Sequence, residues 1–178
     1  MTAIIVDTSA ILASLDEAYA EHEAIAAIIA GADGLLVVSP MVAAESDYML
    51  FTRLGAAAAR QFAADVAAEA YELPEWTAAD HSAALDVINR NSDDSNYIGI
   101  ADAANVVLAD RYRTTRLLTL DQRRFRRLRP LWGADHFTLL PYDLPASLWT
   151  PGRELDWPCC VRPPPGCDYV TAVFRQGR

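Results

Sequence analysis

The sequence predicts one α/β domain, built on a short, mainly parallel sheet with helices over both faces. Three observations lead to it. Short apolar, β-branched runs recur at residues 2–6, 35–38, 116–120 and 137–140, each of strand length and too short for a helix. Between them lie longer Ala- and Leu-rich stretches that carry helix start and stop signals. Strands that alternate with helices are joined by crossovers, which makes them parallel and buries them on both faces. At 178 residues and 52% hydrophobic content, the chain suffices for one sizeable core and is short for two ordinary domains.

Taken in order, the first strand ends on Asp7, Thr8 and Ser9, each a good helix N-cap, so it should run directly into a helix. The helical region at residues 10–30 keeps Asp16, Glu17, Glu21 and Glu23 on its polar side and closes at Gly31 and Gly34. After the second strand, Ser39 fits an N-cap, Pro40 the first helical position and Gly55 the stop. A further Ala-rich helix covers 56–70, Glu72 and Leu73 suit a short strand, and Thr77 or Asp80 opens a helix that fades in the polar turn at 89–96. Residues 97–112 form an apolar helix, 121–129 a short basic one, and 137–140 the last strand. Seven of the ten prolines then fall within 141–165, which stops regular structure. The expected division is a domain over 1–142 and a proline-rich extension over 143–178, either wrapped on the surface or partly disordered.

A net charge of −9, taken as a total, argues against a nucleic-acid partner. Its distribution reverses that reading. Residues 1–110 hold eighteen acids against three arginines, whereas 111–130 hold eight arginines against one acid. There is no lysine, which excludes a P-loop nucleotide site, a Schiff-base enzyme and a phosphoacceptor domain that holds its phosphoryl group with lysine. Cys159, Cys160 and Cys167 all lie in the last twenty residues, so the folded part needs no disulfide, and a zinc site there would lack a fourth ligand. No apolar stretch approaches the ~20 residues that span a bilayer, and the N-terminus has no basic leader region. A cytoplasmic protein with no membrane partner is expected.

Four acids stand out. Asp7 closes the first strand and so faces the edge where strand-to-helix loops gather and where ligand chemistry occurs in such sheets; capping the next helix is an equal alternative. Glu45 lies a full turn inside a helix that Ser39 already caps, on the stripe of Met41, although exposed glutamates on helices are common. Asp102 and Asn105 are the only polar residues in IGIADAANVVLA. A carboxylate buried there without a partner costs several kcal/mol or takes up a proton, so Asp102 calls for a cation. Asp121 ends a strand as Asp7 does, with capping of the segment QRRFRRL as its alternative. His22, His81 and His136 are scattered and match no ligand pair.

Carboxylates gathered in one pocket repel each other unless a cation compensates them. Oxygen ligation without His or Cys suits Mg²⁺ or Mn²⁺. Such a centre beside the basic block, with Arg123, Arg124, Arg126 and Arg127 to hold the rest of a polyanion, points to hydrolysis of a phosphodiester.

The pieces IIVDTSAILA at 4–13, SPMVAAE at 39–45, IGIADAANVVLADR at 98–111 and LLTLDQRRF at 117–125 occur in an order in which the chain resembles the PIN-domain ribonucleases and, within them, the VapC-type toxins of bacterial toxin–antitoxin pairs. The resemblance implies a three-layer α/β/α fold, a Mg²⁺ or Mn²⁺ cofactor, and RNA cleavage by metal-activated water that leaves 5′-phosphate and 3′-hydroxyl ends. It carries the family's acidic quartet onto Asp7, Glu45, Asp102 and Asp121: three main ligands, with Glu45 binding directly or through water. Thr8, Ser9 and Thr119 match its supporting hydroxyls. It also implies a homodimer and a small antitoxin that blocks the acidic pocket. The extension after 140 departs from the family pattern, and Asp93 and Asp94 offer further carboxylates. Two other readings stay open: a PIN-like module that binds RNA or protein without cutting, and a phosphatase with Asp7 as nucleophile. The second is weakened by Ser9, which stands where that chemistry wants another Asp.

Overall fold

The computed structural model describes residues 2–144, so most of the expected extension lies outside the described residues. Four strands, β1 (Ala3–Val6), β2 (Leu35–Val37), β3 (Arg116–Leu118) and β4 (Thr138–Leu140), form one sheet in the order β2-β1-β3-β4. Every pairing is parallel. The chain leaves β1 toward β2 on one side and returns on the other as β3. The strand order therefore reverses between β1 and β3, the position beside whose C-terminal ends ligands bind in such sheets.

Alternate strand residues feed two separate cores. On one face Ile4, Val6, Leu36 and Leu118 pack with Ile11 of α1 (Thr8–Leu15), Ile25 of α2 (His22–Ala30), Val42 of α3 (Pro40–Leu54) and Phe62 of α4 (Ala56–Ala67). On the other, Ile5, Val37, Leu117 and Leu139 pack with Val87 of α5 (Ala78–Asn91), Val106 of α6 (Ile100–Arg111) and Phe125 of α7 (Gln122–Phe125). This is the expected three-layer α/β/α architecture. Strands covered on both faces have no polar side, which is why they read as continuous apolar runs.

Local chemistry sets the helix ends. Ser39 Oγ accepts from the Val42 amide at 3.1 Å, Pro40 takes the first helical position, and Gly55 stops α3 with φ 87, a backbone region open mainly to glycine. Thr77 and Asp80 cap α5 reciprocally, the Asp80 carboxylate accepting from the Thr77 amide at 2.8 Å.

Four elements differ from expectation. The helical region at 10–30 is two helices, because Asp16 leaves the helix in an extended conformation and its Oδ1 accepts from the Ala18 amide at 3.0 Å, a local bond that competes with helix continuation. The helix expected over 56–70 ends at Ala67, and Glu69 turns the chain with φ 60. Glu72 forms an isolated bridge to Val37 and not a strand. The basic helix expected over 121–129 is only the single turn Gln122–Phe125, in which Phe125 alone is buried. At the domain's far end, Asp143 is tied in: it accepts two bonds from Arg126 at 2.6 and 2.8 Å and one from the Leu139 amide.

Leu117 sits in β3 with no exposed surface, in the core of α5 and α6. Leu117→Ala should lower unfolding free energy by about 2–5 kcal/mol in urea titrations; a loss below about 1 kcal/mol would mean that this core is not close-packed.

Candidate active site

Asp7 follows β1 directly, and its amide donates to Leu118 O at 3.0 Å, which joins the ends of the two central strands. Its carboxylate is 6% exposed. Oδ2 accepts from Ser9 Oγ at 2.6 Å, Thr119 Oγ1 at 2.9 Å and the Ser9 amide at 3.4 Å, while Oδ1 accepts from Asn105 Nδ2 at 3.1 Å. Asp7 is therefore the N-cap of α1 as well as a buried acid. Burial pushes its carboxyl above the usual range, the hydroxyl donors pull it back, and the charge of Glu45 raises it further.

The supporting hydroxyls are themselves oriented. Ser9 Oγ accepts from the Leu120 amide at 2.9 Å and Thr119 Oγ1 from the Asp121 amide at 3.0 Å. Accepting from the backbone leaves each hydroxyl hydrogen to be given to Asp7. The resulting ring of bonds spans the segments that follow β1 and β3.

Asp102 lies in the first turn of α6, where its Oδ2 accepts from the Gly99 amide at 3.2 Å and from Arg124 Nη1 at 2.5 Å. Burial first, and the charge of Asp7 second, raise its pKa from 3.8 to about 6, against the opposing pull of Arg124. The cation that the apolar helix called for is thus a guanidinium of the chain itself.

The other two acids stand at the rim. Glu45 is exposed on α3 and accepts from Thr8 Oγ1 at 2.5 Å. Asp121 is half-buried, caps α7 by accepting from the Arg124 amide at 2.9 Å, and lies 3.5 Å from Arg124 Nε. All four acids are thereby linked to one edge of the sheet: Asp102 by the field of Asp7, Glu45 through Thr8 and its own field on Asp7, and Asp121 through Thr119 and Arg124. As the side chains lie, no three carboxylates, imidazoles or thiolates among the described residues stand close enough to close around an ion. Asp93 and Asp94 are exposed on the loop after α5, where Asp93 Oδ1 accepts from the Ser95 amide at 2.8 Å.

Of the four arginines expected to hold a polyanion, Arg124 is engaged by Asp102 and Asp121, and Arg126 by Asp143. Arg123 and Arg127 have no ion pair among the described residues and border a cleft that includes Asp121. Asn105 belongs to the site although sequence reasoning did not assign it. The available signal was its position one helical turn after Asp102 as the only other polar residue of an apolar helix. Its Oδ1 is buried and without a partner among the described residues. That orphaned oxygen, an all-oxygen donor set and a buried Asp7 held only by neutral donors together fit a hard divalent cation.

Fold and site together define a three-layer α/β/α domain with acids gathered where its strand order reverses, and comparison with known proteins makes the class specific. The PIN domain model matches residues 4–130, and the chain belongs to that family and, within it, to the VapC-type proteins. Ribonuclease VapC26 of Mycobacterium tuberculosis (strain ATCC 25618 / H37Rv) is 46% identical to it over 138 residues, which is 78% of this chain and all of that protein. The crystal structure of Mycobacterium tuberculosis VapC20, a Sarcin-Ricin loop cleaving toxin, shares the fold with a TM-score of 0.61 at 23% identity, over 71% of this chain and 99% of that one.

The raised pKa of Asp102 has a definite linkage sign. Between 3.8 and about 6 the folded protein keeps a proton that the unfolded chain releases, so stability falls as pH rises through that window. Without added divalent ions, the stability difference between wild type and Asp102→Asn should shift in favour of the variant from pH 4 to pH 7, by up to about 3 kcal/mol. Paired denaturation curves across this range check it; a difference that stays flat or moves the other way refutes the burial argument.

Proposed function

We propose that the chain is a divalent-metal-dependent endoribonuclease and the toxin of a toxin–antitoxin pair. One observation carries the reading: Asp7 and Asp102 are both buried at the switch point of the sheet, the charge of Asp7 raises the proton affinity of Asp102, and the arginine beside them, Arg124, meets Asp102 and Asp121 but not Asp7. Such a pair is costly as a structural feature and fits a centre that takes up a cation. The VapC26 relative, named a ribonuclease, supports the same activity here.

In this reading Asp7, Asp102 and Asp121 hold Mg²⁺ or Mn²⁺, and Glu45 completes the site directly or through water. Bound there, the ion would polarise the scissile phosphate and make water a competent nucleophile near neutral pH. Ser9, Thr119 and Asn105 keep Asp7 in one orientation, and Thr8 does the same for Glu45. Arg124 is paired with Asp102 and Asp121 in the protein alone, and with an ion held by those carboxylates its guanidinium would be available to an RNA phosphate. Arg123 and Arg127 extend the positive surface along the polymer, while Arg126 stays with Asp143. Because water attacks, and not the ribose 2′-hydroxyl, the products carry 5′-phosphate and 3′-hydroxyl ends. A homodimer in the cytoplasm, silenced by a small antitoxin over the acidic pocket, completes the proposal. Among the described residues no helix is long and apolar enough to cross a membrane.

Purified protein should cut cellular RNA with Mg²⁺ or Mn²⁺ and stop in EDTA. Asp7→Asn and Asp102→Asn should each slow cleavage by at least about a hundredfold, beyond the usual effect of an outer-shell partner. Cleavage that persists in EDTA, or that Asp102→Asn leaves intact, would remove the assignment.

A further inference from the structure

One cleft adjoins the acidic edge and shares Asp121 and Arg124 with it. It has a volume of about 370 Å³ and opens between the end of α5, with the loop after it, and the turn of α7. Arg90, Asn91, Ser92, Asp93 and Asn96 line it from the first, and Arg123 and Arg127 from the second, so that these three arginines outnumber the one loop carboxylate; it meets the active site at Asp121 and Arg124. That volume is at the small end for ligand pockets and has room for one nucleotide, not for a duplex.

Its arginines differ from the others. Arg111, Arg113, Arg124 and Arg126 are each paired with an aspartate at bonding distance. Arg123 and Arg127 have no ion pair among the described residues, and Arg90 reaches only an exposed Asp86 at 4.0 Å. Polar groups of the other kind sit beside them. The Asn96 side chain makes no hydrogen bond among the described residues, and Ser92 Oγ accepts from the Ile98 amide, so its own hydrogen remains to be donated. Tyr97, next in sequence to the lining residues Asn96 and Ile98 though not itself part of the lining, is 67% exposed, an aromatic ring that no core covers.

Unpaired guanidinium groups for phosphates, a free amide and hydroxyl for base edges, and an uncovered ring for stacking are what recognition of unpaired RNA requires. We propose that this cleft is a nucleotide subsite, which takes one unpaired nucleotide of the RNA next to the scissile phosphate. Arg90 and Arg127 hold its phosphates, Tyr97 stacks on its base, and Asn96 bonds to the base edge. Duplex RNA is a poor occupant, because its base faces are stacked away and its edges paired. The inference rests on the ribonuclease reading for the identity of the polymer.

The test is fluorescence anisotropy of a labelled, mixed-sequence, single-stranded RNA oligonucleotide with the full-length protein in EDTA, over a range of salt. Arg90→Gln/Arg127→Gln should weaken binding at least about tenfold at low salt and flatten the dependence on log salt by roughly 1.4, about 0.7 for each lost phosphate contact. Tyr97→Leu should weaken binding about tenfold with the salt slope unchanged, whereas Tyr97→Phe keeps wild-type affinity. All three positions are exposed; should the double variant lose its fold, each single arginine variant carries half the slope change. Unchanged affinity and slope in the arginine variants, or no effect of Tyr97→Leu, overturns the subsite. Cleavage with Mg²⁺ or Mn²⁺ is followed in parallel. Cleavage with unaltered binding sinks the subsite and spares the ribonuclease reading, while the expected binding losses without any cleavage do the reverse.

Discussion

Asp7 loses most of its hydration at the end of the central strand, and the elements around it are arranged to replace that hydration with fixed donors. Two hydroxyls, one backbone amide and one carboxamide supply the replacement, from the start of α1, the end of β3 and the middle of α6. None of these donors is charged, so the group remains biased toward its protonated form. The same bonds fix the spacing of the strand ends, because Ser9 and Thr119 also accept from the amides that lead into α7. Sheet order and acid placement are therefore parts of one constraint: a carboxylate this buried is tolerable only where several loops converge on it.

Charge is managed by distance from that point. Next to it, a single guanidinium spans Asp102 and Asp121 and leaves Asp7 uncompensated. Further out, Arg126 is neutralised by Asp143 and serves the fold. Beyond these, Arg123 and Arg127 border a cleft without an ion pair among the described residues, and Arg90 beside them reaches only Asp86, at 4.0 Å. An overall charge of −9 thus coexists with a local positive rim. For a polyanion the rim matters more, since the field of exposed charges is screened within about 8–10 Å at ordinary salt.

Much of the architecture was legible because local rules and global packing agreed. Ser39, Pro40 and Gly55 mark the two ends of α3, and the four apolar runs mark the strands, with no tertiary information needed. Legibility failed where a side chain chose between two bonding partners. Asp16 breaks a helix by turning on its own backbone, and the arginine-rich stretch after Asp121 holds only one turn because only Phe125 finds a core.

From the sequence alone came the layer order and the requirement that Asp102 have a cationic partner, because burial and periodicity follow from residue type and spacing; the candidate quartet Asp7, Glu45, Asp102 and Asp121 came from the motifs shared with the family. Tertiary structure alone decided that this partner is Arg124, that Asn105 holds Asp7 from 98 positions away, and that Arg126 belongs to Asp143 while Arg90 joins Arg127 at the cleft. These are choices among chemically equivalent groups. An arginine's spacing along the chain says that it is charged; which carboxylate it meets depends on where the crossovers return the chain.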